Sequence, residues 1–385
     1  MRGHVARKGK RYYVVIEVGD DPTTGKRKQV WHAAGATKRG ADELLAELLE
    51  SLRTDEYVEP ARLTLADYLR DEWLPTVQHR LRFSTYDAYR RNIERHVIPR
   101  LGRTRLQKLR PADLTRFYGE LVTSGRGELG GLSPKTVRNI HQMLRKALED
   151  AVQHNYVPRN VAARASVPRS GGSRREMGYW TADELRRFLD QQRDQPFFAA
   201  WYLAASTGMR RGEVLGLLWR DVDLDRHRLA VRRSLISVGY ELQESDTKTT
   251  RSERVLDLDD RTVAVLREHQ KHQAATATTL GIAIPDAVFR RTDGTPIHPD
   301  SFTQAFGRRV RRAEVPRIRL HDLRHTHATL LLQAGVSPKI VSERLGHATV
   351  AFTMQVYAHV IPGMQADAAA AFGELVFGEP DEPDT

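Results

Sequence analysis

Cysteine is absent from this chain of 385 residues. Its absence excludes a disulfide framework, a thiolate nucleophile and a zinc–thiolate site, and it suits a reducing compartment. Long apolar runs are missing as well, and no stretch approaches the ~18 residues needed to span a bilayer. The opening "MRGHVARKGKRYYVVIEV" lacks the apolar centre of a secretory signal. A soluble, cytoplasmic protein is expected. Acidic residues are in deficit: 49 Asp and Glu face 61 Lys and Arg, a net charge of +12. A surplus of that size favours a polyanionic partner, nucleic acid first, although a generally solvated surface would also carry it.

The length allows two or three domains. From Gly3 to Ala33 apolar and polar residues alternate. "YYVVIEV" and "KQVWHA" read as strands, a turn lies around Asp20, Asp21, Pro22 and Gly25, and "GHVARK" makes a third strand if it pairs. Thr37 is placed to cap a helix through "ADELLAELLESL". Ten of the basic residues fall within the first 40 positions against three acids. Arg7, Lys8, Lys10, Arg11, Lys26, Arg27 and Lys28 are the candidate DNA contacts among them.

Four helices follow by period. Thr64 and Asp67 are spaced as a capping box, Ser84 is expected to cap the second helix, and Pro111 opens the third. Ser133 and Pro134 open the fourth, with Val137, Ile140, Leu144, Ala147, Leu148, Ala151 and Val152 on one face. Arg90, Arg91 and Arg138 lie on outer faces, where they could follow a phosphate backbone or simply be solvated. Val157 to Arg175 breaks the periodicity and reads as an extended basic linker. Beyond it come a capping box at Thr181 and Glu184, a helix broken at Thr207-Gly208, strands in "RLAVRRSLISV" and "ERVLDL" around a polar turn, and further helices. The final "EPDEPDT" is acidic and expected to be disordered.

Four short stretches carry the chemistry. In "LHDLRHTHATLLL", His321, Arg324 and His325 fall at i, i+3 and i+4. They share one face at a helix N-terminus, where unpaired N–H groups favour an anion. The competing reading pairs Arg324 with Asp322. In "STGMRRGEVLGLLW", Arg210 stands at a helix start with Glu213 one turn on to orient it, as an ordinary ion pair would also do. Lys248 sits in the polar turn "TKTTRS", where a lysine is commonly just solvated. "RLGHATVAFTMQVYAHV" holds His347 and Tyr357, and Tyr357 taken alone would be a core residue with a wet hydroxyl.

Taken together, "TGMRRGE", "TKTTRSER", "HDLRH", "LGH" and "TMQVYAH", in this order, resemble the tyrosine recombinase (phage integrase) family. The resemblance implies a multidomain α+β chain. Residues 1–58 would be a three-stranded sheet with one helix that binds arm-type DNA, and 62–160 a four-helix, SAM-like module that binds core-type DNA. Residues 161–177 would be the linker, 178–376 a mainly helical catalytic domain with a small antiparallel sheet, and 377–385 an acidic tail. It implies a site-specific recombinase that forms a covalent 3′-phosphotyrosine without metal, ATP or other cofactor. Tyr357 would be the nucleophile; Arg210 and Arg324 would bind the phosphate oxygens. His321 would take or orient the tyrosine's proton, His347 would bond a phosphate oxygen, and Lys248 would protonate the leaving 5′-oxygen. Glu213 would aim Arg210, and His325 would support the site from behind. The implied partners are double-stranded attachment-site DNA and three further copies in a tetramer, with the segment after Tyr357 docked on a neighbour or folded back on its own domain and the protein at the nucleoid; whether a host DNA-bending factor or a directionality factor assists stays open. The alternatives are a type IB topoisomerase, a catalytically silent DNA-binding or architectural protein on the same fold, and a metal-dependent nuclease.

Overall fold

The computed structural model describes residues 3–20, 25–54, 57–168, 178–239, 241–246, 253–347, 349–357, 369, 372–376 and 378. Lys248, His359, the 21–24 turn and nearly all of the segment after Tyr357 lie outside these residues, as does the acidic tail apart from Gly378. The chain forms two compact units, Met1–Ser173 and Arg174–Thr385.

The first unit holds two separate hydrophobic cores. Strands β1 (Gly3–Lys8), β2 (Arg11–Asp20) and β3 (Arg27–Gly35) form an antiparallel sheet in that order. Helix Lys38–Arg53, capped by Thr37, covers the face that carries Val14 and Ile16. The register separates the basic residues. Arg7, Lys8, Lys10 and Arg11 gather at the β1–β2 turn, whereas Lys26 precedes β3 and Arg27 and Lys28 begin it, at the opposite end of the sheet.

The four expected helices pack around Leu69, Ile93, Phe117, Tyr118, Ile140 and Leu144. Two of them contain an internal proline, Pro75 or Pro99, directly after a π-wound turn (Tyr68–Trp73 and Ile93–Val97). The wider turn accommodates the N–H that proline lacks. Two expectations need correction. The second helix starts at Phe83 with Arg82 as N-cap, so Ser84 lies inside the first turn and caps nothing. Nor are residues 157–167 an extended linker: Val157 and Ala162 are buried in the helical core, and Val161–Arg164 forms a 3₁₀ turn. Asn160 closes that turn by accepting from Ala162 N while its amide donates to Arg145 O and Glu149.

In the second unit an aromatic core of Trp180, Phe188, Trp201, Phe302 and Phe306 carries the helices. Strands β4 (Val222–Asp223), β5 (Arg228–Val231) and β8 (Arg254–Asp257) form one small antiparallel sheet; β6 (Arg233–Val238) and β7 (Glu241–Asp246) form a separate hairpin. The run "RLAVRRSLISV" is therefore two strands in different sheets. It breaks where Arg232 and Arg233 both turn to the buried Asp221, at 3.5 and 3.1 Å. The polar stretch before Lys248 is not simply a turn, because its first half is β7. Among the described residues no helix is long and apolar enough to cross a membrane.

Candidate active site

Helix Phe198–Thr207 ends at Gly208, whose φ of +66° is the left-handed conformation that terminates helices cheaply only for glycine. The chain then turns at once into helix Arg211–Leu215, with Arg210 as its N-cap. Glu213, 4 % exposed, accepts from the Arg210 backbone N–H at 2.8 Å and from its guanidinium at 2.7 Å. The orientation expected of this pair from their spacing is present.

Helix Asp322–Gln333 brings the second arginine. Arg324 is 3 % exposed and donates to Gly208 O at 2.8 Å and Leu345 O at 2.6 Å. Asp322 is engaged by Arg319 at 2.7 Å, so the local pairing of Arg324 with Asp322 does not occur. Burial, followed by the neighbouring Arg210 charge, lowers the Arg324 pKa to about 9, which leaves it protonated at neutral pH. His327 is a structural group: it is buried, its Nδ1–H donates to Ala205 O at 3.0 Å, and burial depresses its pKa to about 3.

Helix Pro338–Leu345 closes at Gly346, again left-handed at φ +64°. His347 follows, with Nδ1 2.7 Å from Thr353 Oγ1 and its ring edge-on to Phe352. Burial, then the charges of Arg324 and Arg210, push its pKa to about 3, so it is neutral. Helix Val350–Tyr357 places Tyr357 in the same cluster at 2 % exposure. Its hydroxyl lies 2.6 Å from His325 Nδ1. Burial raises the phenol to about 12 and lowers the imidazole to about 4, so the phenol holds the proton and donates it to the imidazole nitrogen.

This geometry corrects the sequence reading at one residue. His325 is not behind the site: it touches the Tyr357 hydroxyl directly, while His321, the exposed N-cap of the same helix, meets the His325 ring at 5.2 Å between centroids. The described residues show no hydrogen bond between His321 and the phenol, whereas His325, one helical turn further on, meets it.

Arg254 was not singled out by spacing, yet its guanidinium is 2.8 Å from Glu213 Oε2 and its Nε donates to Arg344 O at 2.7 Å. Its only signal in the sequence is the last arginine of "TKTTRSER". Arg210 and Arg254 thus share the buried carboxylate of Glu213 while Arg324 is held by two carbonyls, which leaves an excess of positive charge beside the tyrosine. Such a cluster suits a phosphodiester, whose oxygens would replace the carbonyls that Arg210 and Arg324 now hold.

The expected DNA contacts in the first unit are less uniform. Lys28 pairs with Glu59 at 2.6 Å and Arg27 with Glu17 at 3.7 Å. Arg90 and Arg91 both bind the buried Asp87, at 2.8 and 3.0 Å. Lys8, Lys10, Arg11, Lys26 and Arg138 are exposed, and Arg7 lies over the Tyr12 ring at 5.6 Å.

Residues 179–363 match the phage integrase family, and residues 64–122 match the phage integrase N-terminal SAM-like domain. A tyrosine recombinase XerC-like protein of Caldanaerobacter subterraneus subsp. tengcongensis is 28 % identical over 96 % of this chain and 97 % of its own. The ICEBs1 integrase of Bacillus subtilis is 28 % identical over 95 % and 98 %. Among solved structures, the Tn1549 transposon integrase in complex with a circular intermediate DNA shares the fold with a TM-score of 0.66 at 21 % identity, covering 82 % of this chain and all of that one. A lambda integrase tetramer bound to a Holliday junction gives 0.58 at 18 %, covering 92 % and 94 %.

Proposed function

The chain belongs to the phage integrase family of tyrosine recombinases, and from that premise we propose how its residues cut and rejoin DNA as a site-specific recombinase. The Tyr357 oxygen attacks a backbone phosphorus and the bond to the 5′-oxygen breaks, giving a 3′-phosphotyrosine and a free 5′-hydroxyl. The phosphoester bond is conserved in the adduct, so a 5′-hydroxyl from another duplex can reverse the step without ATP.

What carries this reading is the 2.6 Å contact between Tyr357 and His325 within one helical turn of Arg324. A neutral imidazole bonded to a neutral phenol is ready to accept its proton as the P–O bond forms. Arg210 and Arg324 leave their carbonyl partners for the non-bridging oxygens and stabilise the charge of the pentacoordinate state, a contribution of about 3–4 kcal/mol per donor. His347, held by Thr353, hydrogen-bonds a phosphate oxygen. Lys248 protonates the leaving 5′-oxygen; it lies outside the described residues, and its role rests on the motif alone. His321 stands at the rim of the site.

The helical module grips core-site DNA through Arg138 and its neighbours, and the N-terminal sheet binds accessory sites through the cations at the β1–β2 turn. Exchange between two duplexes needs four active sites, hence a tetramer on DNA. A host bending factor and a directionality factor would set the direction of exchange.

The test uses a nicked duplex carrying the core site that the wild-type chain captures covalently from a randomised pool. The expected product is a denaturant-resistant adduct on the 3′ end that is lost in Tyr357→Phe. No adduct with the wild type, or an unchanged adduct in Tyr357→Phe, would overturn the reading.

A further inference from the structure

Three successive carbonyls at the end of helix Pro338–Leu345 each accept a guanidinium from a different element. Arg344 O takes Arg254 Nε at 2.7 Å, Leu345 O takes Arg324 Nη2 at 2.6 Å, and Gly346 O takes Arg210 Nη2 at 3.1 Å. Helix C-termini expose their last carbonyls and carry partial negative charge, so this end attracts cations. Two of the three arginines are those assigned to the phosphate. Arg254 differs from them in its surroundings. Its side chain is 7 % exposed against 42 % for Arg210, and both its terminal nitrogens are spent on Glu213, at 2.8 and 3.3 Å. The turn is built closely around it: a Cβ on Gly346 would lie 3.0 Å from Arg254 Nη1.

We propose that Arg254 is a positioning residue, which clamps Glu213 to the Arg344–Gly346 turn and thereby leaves Arg210 available to the phosphate. The inference rests on the recombinase reading above. Glu213 is a buried carboxylate that must be neutralised. With Arg254 forked across both its oxygens, Arg210 need supply only one bond and can turn outward. Without Arg254, Arg210 becomes the sole counter-charge and is held back from substrate. The strand end supplies this geometry, because Arg254 opens β8 opposite Val231 in β5.

The experiment follows single-turnover adduct formation by the full chain on the captured core site, with a normal phosphate and with a neutral methylphosphonate at the scissile position. Removing the charge from the phosphate lessens the need for a facing guanidinium. Arg254→Ala is expected to slow the phosphate reaction roughly a hundredfold, the scale of a misplaced reacting group. It should recover most of that loss on the methylphosphonate, as Arg210→Ala should. Arg254→Lys, which keeps the charge and one bond, should fall between Arg254→Ala and wild type and serves as the folded variant. Two results would overturn the proposal: a wild-type rate in Arg254→Ala or Arg254→Lys, or a deficit that persists on the methylphosphonate while Arg210→Ala recovers. Wild-type adduct formation on the same duplex separates this failure from failure of the recombinase reading itself.

Discussion

Tyr357 and His325 face each other at 2.6 Å across two helices, and their proton affinities are pushed apart: burial takes the phenol to about 12 and the imidazole to about 4. The resting pair is therefore neutral, and the proposed nucleophile is stored protonated. His325→Ala should lower adduct formation by roughly a hundredfold or more, the usual scale of a general base. His321→Ala, at the exposed N-cap, should cost less. Single-turnover rates on the captured core site decide between them, and a larger loss in His321→Ala would return the proton to His321.

Arg324 joins stability to chemistry. Arg324→Ala leaves Gly208 O and Leu345 O without the donor each has now, a cost of about 1–3 kcal/mol for each buried acceptor. It also removes one of the proposed transition-state donors, worth roughly two to three decades of rate. Gly208→Ala should reproduce the first effect while keeping the guanidinium. A Cβ there would lie 2.6 Å from Leu345 Cδ2 and 2.8 Å from His327 Cδ2, at a φ of +66°. A loss of about 1–3 kcal/mol is expected. Denaturant unfolding paired with adduct rates separates the two variants, and a fully stable Gly208→Ala would contradict the packing described.

Much of this is legible in the amino-acid sequence. The caps at Thr37, Thr64, Ser133 and Thr181, with the apolar period behind each, gave their helices, because a cap and a periodic face are both local signals. The break at Gly208 and the Arg210–Glu213 pair were legible for the same reason. Arg254 was not, since its partner lies 41 residues away and no local spacing records a contact made through a sheet edge. Helix Asp260–Leu280 drew no expectation either: only Thr262, Val263, Leu266 and Ala277 are buried along its 21 residues, too sparse a stripe to read as a period. Which of His321 and His325 meets the phenol turned on where the helix begins, a boundary that a sequence defines only to within a residue or two.

The second unit should be sensitive to mild acid. His325, His327 and His347 are held, chiefly by burial, at about 4, 3 and 3 against an ordinary 6.5. The unfolded chain therefore binds their protons first as pH falls below 6.5, and stability declines from there towards their folded values. Glu213 acts in the same direction at lower pH. Burial alone would raise it, but the bonds and charges of Arg254 and Arg210 outweigh that and hold it at about 2 against 4.5, so its contribution is lost as pH falls from 4.5. Calorimetry of the full chain should give a Tm for this unit that falls steadily as pH drops below about 6.5. His327→Gln should shallow that fall, and a flat Tm between pH 7 and 5 would show that these imidazoles protonate without cost.

Charge pairing in the helical module predicts a hierarchy among its arginines. Arg90 and Arg91 are both engaged by Asp87, which is 4 % exposed, whereas Arg138 is exposed and forms no ion pair among the described residues. An arginine that must first leave a carboxylate releases less net free energy on meeting a phosphate than one that is already free. Arg138→Ala should therefore reduce the slope of log affinity against log salt by about 1. Arg90→Ala and Arg91→Ala should change it less. Asp87→Asn frees both guanidiniums and should steepen the slope, by up to about 2 if each then meets a phosphate. Fluorescence anisotropy on the core-site duplex across a salt series measures all four. Equal slopes for Arg138→Ala and wild type would remove this helix face from the DNA interface, and a shallower slope in Asp87→Asn would mean that the carboxylate presents the two arginines to DNA instead of withholding them.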